Sequence, residues 1–359
     1  MDWTQIKYSK SKVDKAGWIL INNNSTTQQM EQATSVLDNW RSAHSFPLHI
    51  FKKRLKWVSE KIDPNSLVVQ RLKRTPAIIN KLIRDQTKHM NLSQMQDIGG
   101  CRAVVSNIKQ VKKLCEEYYE EGKHCDLKHE FKNKKDYITT PKPDGYRSIH
   151  LVYRYKSDKT KKYNGLLIEV QIRSKLQHYW ATAIETVGHF TKQALKSNEG
   201  EEEWLTFFKL ISTVFAKKEN LPLVPDTPID ETDLYNKIKE LTDRLQIIEK
   251  IKSWATLIKL IGEIEKKESH KPYFYLLELD IDKKELSVKT FEKRDEEKAT
   301  TAYSAAEKNA TDKKMNKDIV LVEADTTKEL RKAYPNYFLD TKEFLSILEA
   351  YLKYSPKTK

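Results

Sequence analysis

Apolar residues recur at every second position in Gly165–Ser174, where Leu166, Ile168, Val170 and Ile172 oppose Glu169, Gln171 and Arg173. This alternation predicts a strand with one buried and one wet face. Gly145–Arg154 alternates too, with Tyr146, Ser148 and His150 on one face and Arg147, Ile149, Leu151 and Tyr153 on the other. Met95–Val105 reads as a turn at Gly99-Gly100 entering a further strand. Elsewhere the spacing is helical. Ser25 with Gln28 resembles a capping box opening a helix through Met30, Ala33 and Leu37, and Pro47 separates it from one carrying Leu55, Val58 and Ile62. In Arg71–Arg84, Thr75 suits an N-cap and Pro76 the first helical position; Ile78, Ile79, Leu82 and Ile83 face a core, and Lys81, Arg84 and Lys88 form a cationic stripe. Trp180, Ala183, Ile184 and Val187 are the core face of a helix over Gln177–His189.

Three prolines within 220–228 mark a linker between a first domain, 1–219, and a second, 229–359. The second opens with an amphipathic helix through Leu234, Ile238, Leu241, Leu245 and Ile248, and helical spacing resumes at Trp254, Leu257, Ile258 and Ile261. Tyr273–Asp280 and Leu286–Phe291 read as a hairpin, Asp318–Glu323 as a third strand, followed by two short helices. The fold class is therefore α/β (α+β), with a smaller α+β domain after the linker.

Composition narrows the function classes. No stretch approaches the run of about 18 uncharged apolar residues that a membrane span needs, and the first residues lack the apolar core of a signal peptide. Cys101, Cys115 and Cys125 form no CxxC pair, so they read as reduced thiols in a cytoplasmic protein. The net charge of +14 predicts a polyanionic partner: nucleotide phosphates or RNA.

Candidate chemistry lies on the wet faces. Asp97 before Gly99-Gly100, together with Glu169, supplies hard oxygen ligands for Mg²⁺. Tyr146, Ser148 and His150 suit a nucleoside, with an aromatic face to stack a base. A helix starting at Thr75 between Arg71, Lys73 and Lys81 suits a triphosphate, although an exposed basic helix face explains those residues equally well. Glu185 and His189 sit one turn apart, a metal pair without a third ligand, and fit a structural layer better.

In this order, from about Leu48 to Leu195, the motifs resemble the synthetase domain of RelA/SpoT homologues. The resemblance implies a mixed β-sheet flanked by helices, related to nucleotidyltransferases, and transfer of the β,γ-pyrophosphate of ATP to a ribose 3′-hydroxyl. It implies that Arg71 and Arg102 sandwich adenine and that Lys73, Lys81 and Arg84 hold phosphates. Asp97 and Glu169 would bind Mg²⁺, Glu169 would also activate the acceptor, and Tyr146 would stack the acceptor base beside Lys142, His150 and Gln171. Ala77 and Asp144 stand where the family often has Ser and Asn, which leaves the acceptor open. Asn39–Leu48 and Ala333–Asp340 are similar to the CapRel group, in which a toxic synthetase is fused to its antitoxin. That implies the 3′ CCA end of tRNA as acceptor, inhibition by the second domain through Tyr334 and Tyr337, and release by a phage protein such as a capsid protein. Two alternatives stand beside this: an alarmone synthetase acting on free nucleotides, and a degenerate RNA-binding adaptor.

Overall fold

The computed structural model describes residues 3–84, 90–118, 128–191, 195, 200–248, 251, 273–280, 283, 285–313, 315, 317–323 and 342–353. Tyr334, Tyr337, Lys88, Cys125 and the predicted helix through Trp254–Ile261 lie outside them.

Five strands, β1 (Leu67–Leu72), β2 (Gly99–Val105), β3 (Glu130–Asp136), β4 (Ile149–Arg154) and β5 (Leu167–Ser174), form a sheet in the order β1-β2-β5-β4-β3. Only β2 and β5 run parallel, so the sheet is mixed. One face buries Cys101, Ala103, Leu151, Ile168, Val170 and Ile172. Against it lie α3 (Ser45–Ile62), through Leu48, Phe51, Leu55 and Val58, and α5 (Ile108–Tyr118), through Val111, Leu114 and Tyr118. Each such aliphatic side chain contributes about 1.5–3 kcal/mol on burial.

Helix α1 (Lys10–Ile21), where the sequence pattern placed no element, packs on α2 (Thr27–Ala43) and α4 (Thr75–Arg84). The capping box of α2 is Thr26 with Gln29, one residue beyond the predicted pair, because the Ser25 hydroxyl is spent on Ile19 O, 2.9 Å away. In α4 the predicted core face is narrower than expected: Ile78 and Leu82 are buried, but Ile83 is 52% exposed.

A second core joins α6 (Lys175–Thr191), α7 (Glu202–Glu219), α8 (Glu231–Leu245) and α10 (Lys342–Lys353) through Trp180, Phe207, Phe208, Ile238, Phe344 and Leu348. The 220–228 segment thus lies between helices that share one core. It is pinned by Arg147, whose guanidinium donates to Pro222 O at 2.6 Å and Ile138 O at 3.2 Å. A third unit, β6 (Phe274–Asp280), β7 (Glu285–Phe291), α9 (Glu296–Asp312) and β8 (Lys317–Glu323), has the antiparallel order β7-β6-β8 with α9 across it. Its β8 lies beside β1.

Candidate active site

Strand register decides which side chains meet. Arg71 pairs with Gly100, which pairs with Glu169; Arg102 pairs with Gln171, which pairs with His150. Paired residues share a face. Arg71, Arg102, Glu169, Gln171, Arg173 and His150 therefore line the face opposite α3 and α5, joined at its rim by Asp97. A Cβ built on Gly100 would meet only Glu169 O, at 3.9 Å, so the floor between Arg71 and Glu169 is open. Gly99 serves packing instead: its Cβ would lie 3.0 Å from Ile168 Cδ1 and 3.3 Å from His44 Cβ.

Asp97 is clamped by two lysines, Lys81 Nζ at 2.8 Å from Oδ1 and Lys73 Nζ at 3.0 Å from Oδ2. Burial alone would raise the Asp97 pKa, but the ammonium groups outweigh it and hold the carboxyl far below the usual range. Burial also lowers the Lys73 pKa, against the pull of Asp97. Arg84 ends α4 exposed, one turn beyond Lys81.

Glu169 Oε1 meets His150 Nδ1 at 2.9 Å, and its Oε2 accepts from Gln171 Nε2 at 2.7 Å. Tyr146 Oη lies 2.9 Å from His150 Nε2. His150 thus links the tyrosine hydroxyl to the Glu169 carboxylate, with Nδ1–H donating to Glu169. Burial raises the Glu169 pKa, while His150 and the Gln171 amide outweigh it and hold the group ionised.

The surroundings of Tyr146 and His150 are more aromatic than the strand pattern suggested. Tyr137 packs edge-on to Tyr146 and His150, with ring centroids 5.9 and 5.3 Å apart. Lys142 Nζ stands 4.7 Å from the Tyr137 ring and 5.3 Å from that of Tyr146. Asp144 works locally, its Oδ1 accepting from Tyr146 N at 2.8 Å and so fixing the approach of the tyrosine. Sequence reasoning missed Tyr137, although it lies five residues before Lys142 in the same loop. It also assigned no task to Arg173, which is 2% exposed and pairs with His178 of α6. The alternation of β5 alone places Arg173 on this face.

Asp97 and Glu169 are close enough for the Asp97 charge to oppose ionisation of Glu169. Among the described residues no group of three or more His, Cys, Asp or Glu side chains is arranged to hold a metal ion. A cation held by this pair would complete its shell with phosphate oxygens and water, which suits Mg²⁺. No helix among the described residues is long and apolar enough to cross a membrane.

Residues 70–193 match the family model described as the region found in RelA / SpoT proteins. The chain is 28% identical over 166 residues to the GTP pyrophosphokinase YwaC of Bacillus subtilis, covering 43% of this chain and 76% of that one. It is 29% identical over 120 residues to the GTP pyrophosphokinase YjbM of the same organism, covering 33% of this chain and 54% of that relative. Among solved structures, small alarmone synthetase 1 from Bacillus subtilis is 23% identical with a TM-score of 0.41, over 50% of this chain and 89% of the other. The chain therefore carries a RelA/SpoT region of the pyrophosphokinase type.

Proposed function

We propose that this face transfers the β,γ-pyrophosphate of ATP to a ribose 3′-hydroxyl, with the 3′ CCA end of tRNA as acceptor. The observation that carries the reading is the pair of carboxylates, Asp97 under two lysines and Glu169, beside the open Gly100 floor, held by His150 and Gln171. The acceptor oxygen attacks the β-phosphorus, the bond from that phosphorus to the α,β-bridging oxygen breaks, and AMP leaves. Glu169 takes the acceptor proton. Lys73, Lys81 and Arg84 hold phosphate oxygens, Arg71 and Arg102 bracket the base, and Tyr137 and Tyr146 position the acceptor nucleoside beside Lys142. Asp97 and Glu169 would hold Mg²⁺, which neutralises phosphate charge. Positioning and charge neutralisation carry most of such a reaction.

Inhibition by the C-terminal part, and release by a phage protein bound to it, complete the proposal. Support comes from a buried cluster on the β1–α4 element. Glu307 of α9 accepts from Thr75 N at 3.2 Å, and Arg41 Nη1 donates to Thr75 Oγ1 at 2.9 Å and stands 3.6 Å from Glu307 Oε2. Arg71 also lines a cavity closed by Phe274, Thr300 and Leu321.

A second reading, an alarmone synthetase acting on free guanosine nucleotides, is favoured by the names of the relatives. ATP labelled in its β and γ phosphates, incubated with tRNA and with GDP or GTP, separates the two. Label on the RNA 3′ end, lost in Glu169→Gln, supports the first. Label only on free nucleotide supports the second, and no transfer at all, by the full chain and by Glu307→Ala alike, sinks both.

A further inference from the structure

We infer that the outward face of α3 and α5 is a docking surface for structured RNA, separate from the reaction site. The two helices lie side by side and antiparallel. Tyr118 Oη donates to Phe51 O at 3.4 Å near one end, and Ser106 N donates to Asp63 Oδ2 at 2.7 Å near the other. Both turn their buried apolar residues to the sheet, so the exposed positions face outward together. From α3 these are Lys53, Lys56, Trp57, Glu60 and Lys61, and from α5 Lys109, Lys112, Lys113, Glu116 and Glu117, all exposed.

Two features give this face a ligand chemistry. Six lysines stand against three glutamates, a row of point charges that suits a phosphodiester chain. In its middle Trp57 is 56% exposed, with Lys61 Nζ 3.5 Å from its ring centroid. An exposed indole inside a cationic row is a platform for an unpaired base, since every base has a π-face. A membrane surface would call for a broad apolar face, and Trp57 is the only large apolar side chain exposed on these two described helices. An acidic protein would leave the indole without a stacking partner.

Position adds a consequence. This face and the reaction face lie on opposite sides of the sheet, and exposed Lys132, Lys134 and Lys135 of β3 lie at the sheet edge between them. A mononucleotide reaches one face only; a folded RNA reaches both. The inference deepens the RNA-acceptor reading and rests on it, but its test needs no catalysis.

The full chain, without ATP, is titrated with deacylated tRNA by filter binding from about 50 to about 200 mM salt. Replacing Lys53, Lys56, Lys112 and Lys113 together with Gln should weaken binding at least about tenfold and lower the slope of log K against log salt by about 3. Trp57→Ala should weaken it about fivefold or more, leave the slope unchanged and abolish quenching of indole fluorescence. Any residual label transfer to GDP or GTP should be unaffected in both. A four-lysine variant with native circular dichroism that binds tRNA like the wild type overturns the inference. So does equal capture of the wild type by phosphatidylserine vesicles, lost in the same variant. Binding through this face without label on the RNA would leave the surface standing and sink the acceptor reading.

Discussion

At the scale of residues, the two adjacent glycines of β2 separate packing from ligand space. Gly100→Val should fold with little change in Tm, because nothing crowds its Cβ, yet raise KM for ATP about tenfold or more by filling the floor beside Arg71. Gly99→Ala should instead cost about 1–3 kcal/mol of stability through overpacking against Ile168 and His44. The reverse assignment in thermal melts and kinetics would remove Gly100 from the site. Asp97 and Glu169 are separable from the fold in the same way. Glu169→Gln and Asp97→Asn should each cost about 10² to 10³ in rate. For Asp97 the fold has a second readout. Its folded-state pKa is depressed, so its stabilising effect is fully present above the ordinary carboxylate range near ~4 and drains away as pH falls through the lower folded value. The Tm gap between wild type and Asp97→Asn should therefore narrow below about pH 4; a gap independent of pH would show that the two lysines do not depend on this charge.

Helices and strands differ in how much of them a linear pattern reveals. Strand β5 was legible in its alternation, with Ile168, Val170 and Ile172 buried and Glu169 and Gln171 partly open on the other face, but Arg173, expected on the wet face, is buried against His178. Helix α1 was not, because its buried stripe of Val13, Ala16, Gly17 and Leu20 includes a glycine chosen for contact, its Cβ position lying 2.9 Å from Leu92 Cβ. The convergence of Tyr137 on His150 depends on the fold of the loop after β3, which no local spacing reports. Least legible was the contact of α9 with α2 and α4, which joins positions 232 apart. There Glu307 is 9% exposed and receives the Tyr303 hydroxyl, while Arg41, 2% exposed, lies 4.2 Å from the Tyr303 ring. Burial raises the Glu307 pKa, and Arg41, Tyr303 and Thr75 only partly offset it. A raised acid means that the docked state holds its proton more tightly, so docking should be strongest below the ordinary carboxylate range and weaken as pH rises through the raised value. Asp38 behind Arg41 is shifted the same way by burial, which adds to the trend. Glu307→Ala leaves Arg41 buried with less compensation, a loss of about 3 kcal/mol, or more than 100-fold in the docked population. Hydrogen exchange over 273–323 should rise in that variant, and pyrophosphate transfer should rise with it. Faster exchange with unchanged transfer would mean that this contact holds the unit in place without restraining the site.

The whole molecule sets a limit on how the C-terminal part can be removed. Cutting after Pro228 looks attractive, since three prolines mark the place. The cores say otherwise, because α6 and α7 bury Trp180, Phe207, Phe208 and Phe215 against Leu234, Ile238, Leu241, Phe344 and Leu348, all beyond the cut. Losing those five partners exposes apolar surface worth several times the about 1.5–3 kcal/mol of one buried side chain, on the scale of a domain's whole stability. The damage would also reach the site. Arg173 contacts His178 of α6, Trp180 packs 6.4 Å from Tyr146, and Ser212 of α7 donates to Gly145 O at 2.6 Å, next to Tyr146. A chain ending at residue 228 should therefore melt at least about 10 °C lower, or aggregate, and transfer less pyrophosphate than the full chain. Glu307→Ala touches none of that core and should transfer more. The two are compared by melting temperature, sedimentation and labelled transfer on matched concentrations of folded protein. A truncated chain that does not aggregate, melts like the full protein and outperforms it would show that α6 and α7 keep their packing without α8 and α10.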